Sequence, residues 1–587
     1  MDPFHSETPP DIPKNPFRIL TPKDWLYLPH LLSRKERALL VFFTALALFG
    51  GVAGGMGILS RFMHEAPARG GTYREGMIRP PERINPLFLS NNDTDRDLVN
   101  LMYAKLFAYS PSGALMPDLA ESYLISDDSK TYTIELKKNA RWHDGGRVTA
   151  DDVIFTIRAI QNPDYKSSLR PNWQGVSVER LGDYTVRLIL KQPYSPFIQN
   201  LALPILPQHI WARIPAENAS MAETNIRPVG SGPFVFKSLE RDGEGVITKY
   251  RLSANQRYHS EGPYIQSVEF SFYDDEQSLM QAYIAGKIDG ISVVSAKSLE
   301  RLKNLGASIY AIKMPRVFAV FLNESAPVLK DKDVRRALAL AVPKEELIKN
   351  VLGGGAVPID SPIPPGIFGF NPELEKIAYD PAAAQKLLDR AGWKDLNGDG
   401  IREKKSAKKS EKPAELSFTV MTSDWKDLKG TAEALSAYWK KIGVKAEVHS
   451  MPVSNLETSV IRPRKYDALL FGEILGRDPD PFSFWHSSQL KDPGLNIALY
   501  HSPRVDLLLE QARKTTSRDE IEDKYFKFQA VIAEDFPTIF LYSPLYYYTQ
   551  RPWIRGAGME TITVPSERFE NASRWYIETK RVFGNKR

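Results

Sequence analysis

The stretch Gly472-Glu473-Ile474-Leu475-Gly476-Arg477-Asp478-Pro479-Asp480-Pro481 gathers a guanidinium and three carboxylates directly after an apolar run that ends at Phe471. These groups suit recognition. Ligands of open α/β sheets sit at the carboxyl ends of strands, so this loop is the expected floor of a binding cleft. An arginine there repels an ammonium and favours a carboxylate, phosphate or sugar hydroxyl through charge-assisted contacts. The plainer alternative pairs Arg477 with Asp478 or Asp480 at the surface. The candidate ligand contacts are Glu473, Ile474, Leu475, Arg477, Asp478 and Trp485.

Reaction chemistry has no comparable cluster. The chain contains no Gly-x-Ser-x-Gly and no His-Glu-x-x-His, and its nine histidines are scattered, with His486 and His501 lacking an evident partner. His143 beside Asp144 belongs to the turn Trp142-His143-Asp144-Gly145-Gly146 and not to a catalytic pair. The absence of cysteine excludes disulfides, thiolate metal sites, cysteine nucleophiles and a lipid-modified cysteine. Gly353-Gly354-Gly355 lacks the Gly-Lys-Ser/Thr that completes a phosphate loop, and reads as a turn. Asp395-Leu396-Asn397-Gly398-Asp399-Gly400 matches the first half of a calcium loop, but its twelfth position is Ser406 in place of a bidentate glutamate, so a surface turn is expected. No catalytic residue, metal or cofactor is expected.

Periodicity supplies the elements that must position the loop. Residues 444–448 and 466–471 read as buried strands, with residues 425–442 as their helix. Residues 331–351 repeat Val334, Leu338, Leu340, Leu347 and Val351 at helical spacing. Tyr132, Ile134 and Leu136 alternate with polar neighbours as in a half-buried strand. Thr149-Ala150-Asp151-Asp152 opens a capped helix that Asn162-Pro163 ends. Gly71 to Glu75 starts a strand after a short linker at residues 67–71, and residues 402–412 form a charged hairpin or loop. Tyr542, Tyr546, Tyr547 and Tyr548 either line a cleft or pack as a core strand.

An ordered series of motifs resembles the family 5 solute-binding proteins, the oligopeptide- and dipeptide-binding components of ABC importers. It runs from Leu119-Ala120-Glu121-Ser122 through Trp142-His143-Asp144-Gly145-Gly146 and Thr149-Ala150-Asp151-Asp152-Val153 to Pro228-Val229-Gly230-Ser231-Gly232-Pro233-Phe234. Gly286-Lys287-Ile288-Asp289, Asp333-Val334-Arg335-Arg336-Ala337-Leu338 and Asp478-Pro479-Asp480-Pro481 continue it, over about residues 70–550. The resemblance implies a two-lobed α/β fold of the periplasmic-binding-protein type II. Lobe I would comprise residues 70–112, 226–312 and 546–587, with an accessory domain at 113–225 inserted in it; lobe II would span 313–545, and two crossings would form a hinge. In peptide-binding members an aspartate four residues before the corresponding proline holds the ligand's amino terminus. Arg477 stands at that position, and Asp478 is one residue away. The implied role is a monomeric, non-enzymatic receptor that delivers a peptide or other small solute to an ABC permease and its ATPase subunits. A ligand sensor or surface scaffold on the same fold is the alternative; an extracellular hydrolase is disfavoured.

Residues 38–60, ALLVFFTALALFGGVAGGMGILS, carry no charge and at 1.5 Å per residue would cover about 30 Å of hydrocarbon. A retained single-pass membrane anchor is expected. Ala66-Pro67-Ala68 is only a faint version of a signal-cleavage site. Residues 1–37, Pro-rich and of mixed charge, would form a cytoplasmic tail, and 61–587 would lie outside, because a long folded domain translocates largely regardless of charge. With roughly 520 residues beyond the anchor, two or three domains are expected. The 42 % hydrophobic and 25 % charged fractions are those of a globular protein. A net charge of +6 without a basic stripe interleaved with aromatics gives no reason to expect nucleic acid.

Overall fold

Thirteen consecutive residues rich in β-branched and aromatic side chains, Thr538–Gln550, form the longest strand of the described chain. The computed structural model describes residues 32–61, 63–88, 92–405, 412–515 and 517–583. Its main sheet has twelve strands. They are β1 (Gly70–Ile78), β2 (Phe234–Arg241), β3 (Ile247–Ala254), β4 (Ile265–Tyr273), β5 (Gly290–Ile291), β6 (Ser308–Lys313), β7 (Arg316–Leu322), β8 (Ala356–Pro358), β9 (Ser417–Ser423), β10 (Lys445–Met451), β11 (Ala468–Ile474) and β12 (Thr538–Gln550). The order is β10-β9-β11-β7-β12-β5-β1-β4-β3-β2, with β6 and β8 also paired to β12.

β12 serves two halves of this sheet. Its start, Thr538 to Tyr542, pairs antiparallel with β7, and its end, Leu545 to Gln550, pairs with β6. The chain crosses between the halves at Met314-Pro315, joining β6 to β7, and again at Ser543-Pro544 inside β12.

The second half is covered on both faces, as period-two alternation requires when each face is apolar. Val320 and Leu322 of β7 pack with Leu338, Leu388, Leu435 and Trp439 on one side. Val317, Ala319 and Phe321 pack with Leu509, Phe528 and Ile532 on the other. Residues 331–351, one helical run by spacing, are two helices, Lys332–Leu340 and Lys344–Leu352. Pro343 lacks the amide that a continuous helix needs at that point. The strands expected at 444–448 and 466–471 are β10 and β11, and the helix before them is Lys426–Lys440.

Between β1 and β2 a separate four-stranded antiparallel sheet contains Ala120–Ile125, Thr131–Leu136, Thr185–Ile189 and Ser177–Arg180, in that order. The helix Ala150–Gln161 lies beside it, started by the reciprocal Thr149–Asp152 capping box that the sequence predicts. His143 ties this segment to the strand-leading turn before β2: its Nδ1 accepts from the Gly230 amide at 3.1 Å and its Nε2 lies 3.1 Å from the Gly232 carbonyl.

The first half buries a charged cluster. Arg568, 1 % exposed, donates from Nη1 and Nη2 to the two Asp97 oxygens at 2.9 and 2.6 Å and from Nη2 to Glu75 Oε1 at 3.1 Å. The Tyr548 hydroxyl donates to Glu75 Oε2 at 3.1 Å, and Tyr73 also bonds Glu75. Burial pushes both carboxyls above the usual carboxylate range, Asp97 to about 7, against the pull of Arg568.

At the N-terminus, helix Arg34–Arg61 is followed by the strand Met63–Pro67, which pairs antiparallel with Thr579–Phe583. The linker expected at 67–71 is therefore almost absent, since β1 already begins at Gly70. Among the described residues no helix is long and apolar enough to cross a membrane. The described side chains of this helix stop at Val52 and Gly54, so the latter part of the apolar run, like most of the expected tail, lies outside them.

Burial lowers the His143 pKa from 6.5 to about 4, so the fold holds the ring neutral. The folded value lies below the unfolded one: this contribution is fully present above pH about 6.5 and is lost as pH falls through it toward 4, by about 3 kcal/mol in total. Urea unfolding at pH about 7.5 and about 4.5 should show a smaller pH-dependent loss in His143→Gln than in the wild type.

Candidate functional site

β7 and β11 pair along their whole length, from Arg316 opposite Ile474 to Leu322 opposite Ala468. On its other side β11 meets β9 only at Ala468 and Leu469. Among the described residues, 471–474 therefore have a strand partner on one side alone, and the opposite backbone edge can accept another extended chain.

The same end of β7 borders a cavity of about 640 Å³ where the two halves of the sheet meet. Val294 and Lys297 line it from the first half, Arg316, Phe318 and Trp425 from the second, and Tyr542, Pro544 and Tyr547 from β12. Trp425 is 60 % exposed and Ile474, across from Arg316, is 63 % exposed. Trp425 at the cavity and Ile474 on the strand beside it offer apolar area to a ligand. Arg316 adds a directed charge. Its Nε is buried without a hydrogen-bond partner, and burial lowers its pKa against the pull of Asp93. A guanidinium cannot shed its proton in this range, so it offers a strong donor to a carboxylate or carbonyl.

Glu473 faces the other side of the strand. It borders a second cavity of about 410 Å³ with Phe471, Phe484 and Arg464. Both of its oxygens are buried without a hydrogen-bond partner, and burial raises its pKa well above the carboxylate range. Burial thus favours the neutral form of the group.

The remaining sequence-predicted contacts lie elsewhere. Leu475 and Trp485 are core residues, 4 % and 1 % exposed, with Trp485 against Phe528 and Phe540. Asp478 lies 3.7 Å from Arg518, and burial raises its pKa despite that neighbour. Arg477 is paired across a long sequence separation. Its Nε and Nη2 donate to Glu567 Oε2 at 3.2 and 2.6 Å, and its guanidinium sits 4.2 Å above the Tyr109 ring. Its side chain is 5 % exposed and its charge partner is Glu567 in place of Asp478 or Asp480; its Nη1 has no hydrogen-bond partner, and it borders a cavity of about 330 Å³ with Gly366, Phe368 and Arg518, while Asp480 is taken by Arg513. Sequence reasoning missed Arg316 and Trp425. A cation at the head of a buried strand was the available signal for the first; Trp425 was absorbed into the pattern of the helix it precedes.

Arg477 joins the loop after β11 to Tyr109 and Glu567, which belong with the first half. Removing one partner of a buried pair leaves the other charged and unpaired, at a cost of about 3–5 kcal/mol. Arg477→Ala should lose stability on that scale in urea unfolding, and Arg477→Met combined with Glu567→Gln should recover most of it in a double-mutant cycle.

Comparison with known proteins places this geometry. The family model of bacterial extracellular solute-binding proteins, family 5 Middle, matches residues 114–494. The oligopeptide-binding protein AppA of Bacillus subtilis is 31 % identical over 488 residues, which cover 81 % of this chain and 87 % of that one. The structure of that protein in complex with a nonapeptide aligns with a TM-score of 0.64 at 30 % identity, covering 87 % of this chain and 100 % of the other. NikZ from Campylobacter jejuni, solved with Ni(L-His), aligns with a TM-score of 0.64 at 28 % identity, covering 86 % and 99 %. These relatives are two-domain binding proteins of mixed α/β content, and the matched family is one of extracytoplasmic solute-binding proteins and not of enzymes.

Proposed function

Because the chain belongs to the bacterial extracellular solute-binding proteins of family 5, we propose that it captures a peptide or peptide-like solute between its two lobes and delivers it to an ABC permease. The observation that carries this reading is the open edge of residues 471–474 beside the cavity at Arg316. An extended ligand adds its backbone to that edge, its side chains meeting Ile474 and Trp425, while Arg316 receives a carboxylate or carbonyl oxygen. Main-chain pairing supplies affinity that is tolerant of sequence. Glu473, both of whose oxygens lack a partner, offers a polar contact to a ligand that reaches its cavity.

The two crossings support lobe boundaries near 313 and 545, and closure is a population shift driven by contacts made only in the closed form. The Arg477–Glu567 pair fits such a closed form, since it joins residues of both lobes. Residues 38–60 tether the protein to the membrane with the lobes outside.

Native mass spectrometry of the purified chain, followed by isothermal titration with a peptide panel, tests the capture role. A co-purified peptide is expected, and Arg316→Ala and Trp425→Ala should each weaken it more than about tenfold, the loss of one charged or aromatic contact. Absence of any peptide binding, or unchanged affinity in both variants, would remove this reading. For the tether, sequencing the N-terminus of membrane-extracted protein should return Met1 or Asp2; a terminus near Arg69 would show that the apolar run is a cleaved signal.

A further inference from the structure

The half-matched calcium loop closes on an acid that its spacing does not anticipate. Lys394 and Glu403 exchange backbone hydrogen bonds at 2.9 and 2.8 Å, so the chain returns at the ninth loop position and begins the short strand Glu403–Lys404. One carboxylate oxygen from each of Asp395, Asp399 and Glu403 then lies within 4.8 Å of the others. Asp395 and Asp399 are exposed, whereas Glu403 is 5 % exposed. Its Oε2 accepts from the Leu396 amide at 2.7 Å, but its Oε1 is buried with no hydrogen-bond partner.

A buried carboxylate oxygen without a donor is costly unless a cation completes it. The neighbouring basic side chains do not. Arg402 is spent on Asp389 and on the carbonyls of Trp393 and Ile442, and the Lys404 ammonium sits 5.6 Å from the Trp393 ring centroid.

We propose that Asp395, Asn397, Asp399 and Glu403 form a calcium site, with Glu403 at the ninth position doing the work that a helical loop assigns to its twelfth. The side-chain donors are all oxygens, which favours a hard cation. Calcium accepts six to eight oxygens in irregular arrangements, while magnesium demands a near-ideal octahedron that so short an excursion between paired residues does not provide. The twelfth residue, Ser406, lies outside the described residues. Bound calcium would fasten the 395–401 excursion to the strand at Glu403.

The test uses the full chain, stripped with a chelator and titrated with calcium chloride alone, by calorimetry and thermal unfolding. One equivalent should bind with a Kd of about 1 mM or tighter, as extracellular modules do, and raise the melting temperature; magnesium should do so more weakly. Asp399→Asn, at an exposed position, and Glu403→Gln should each weaken binding by about tenfold or more. No heat and no thermal shift at about 10 mM calcium would overturn the proposal, as would wild-type binding in Asp399→Asn, which decides the matter even if Glu403→Gln fails to fold.

Discussion

The hydrogen bonding of β12 is the constraint on which both halves of the molecule depend. Thr538 to Tyr542 completes the sheet that carries β7 and β11, while Leu545 to Gln550 completes the one that carries β6 and β5. One continuous strand thus joins the two halves, and the other chain crossing of that boundary among the described residues, between β6 and β7, runs beside it. Both crossings contain a proline, Pro315 and Pro544. Proline carries no amide hydrogen, so fewer ladder hydrogen bonds oppose bending there than elsewhere in the sheet.

The cavity inherits its form from this arrangement. Tyr542, Pro544 and Tyr547 of β12 make one wall, and β7 brings Arg316 and Phe318 to another. Because β9 leaves β11 after Leu469, the open backbone edge falls near that wall. Side chains supply charge and apolar area, while the sheet itself supplies directional pairing, a division that suits a receptor for ligands of varied sequence.

Much of the fold was legible because local signals and tertiary needs agree. The Thr149–Asp152 box, the apolar strands around 444–448 and 466–471, and the alternation at Tyr132, Ile134 and Leu136 all state their own geometry. Pro343 shows the opposite case: apolar spacing continued through it, but the missing amide broke the helix. The site was less legible. The loop after β11 is chemically marked as a strand end, yet the partner of Arg477 lies ninety residues further on at Glu567, and no local pattern encodes a pair of that separation. Burial likewise decided the fates of Leu475 and Trp485, which spacing could place near the loop but not on either side of its surface.

The ion cluster at Arg568 bears on the order in which the chain can become itself. Glu75 and Asp97 are among the early residues of the first half, but the guanidinium that neutralises them is separated from Glu75 by 493 positions. A chain that emerges N-terminus first therefore carries two acids that resist burial, because their counterion has not yet arrived. Until then the two acids lack the charged partner that the folded half gives them.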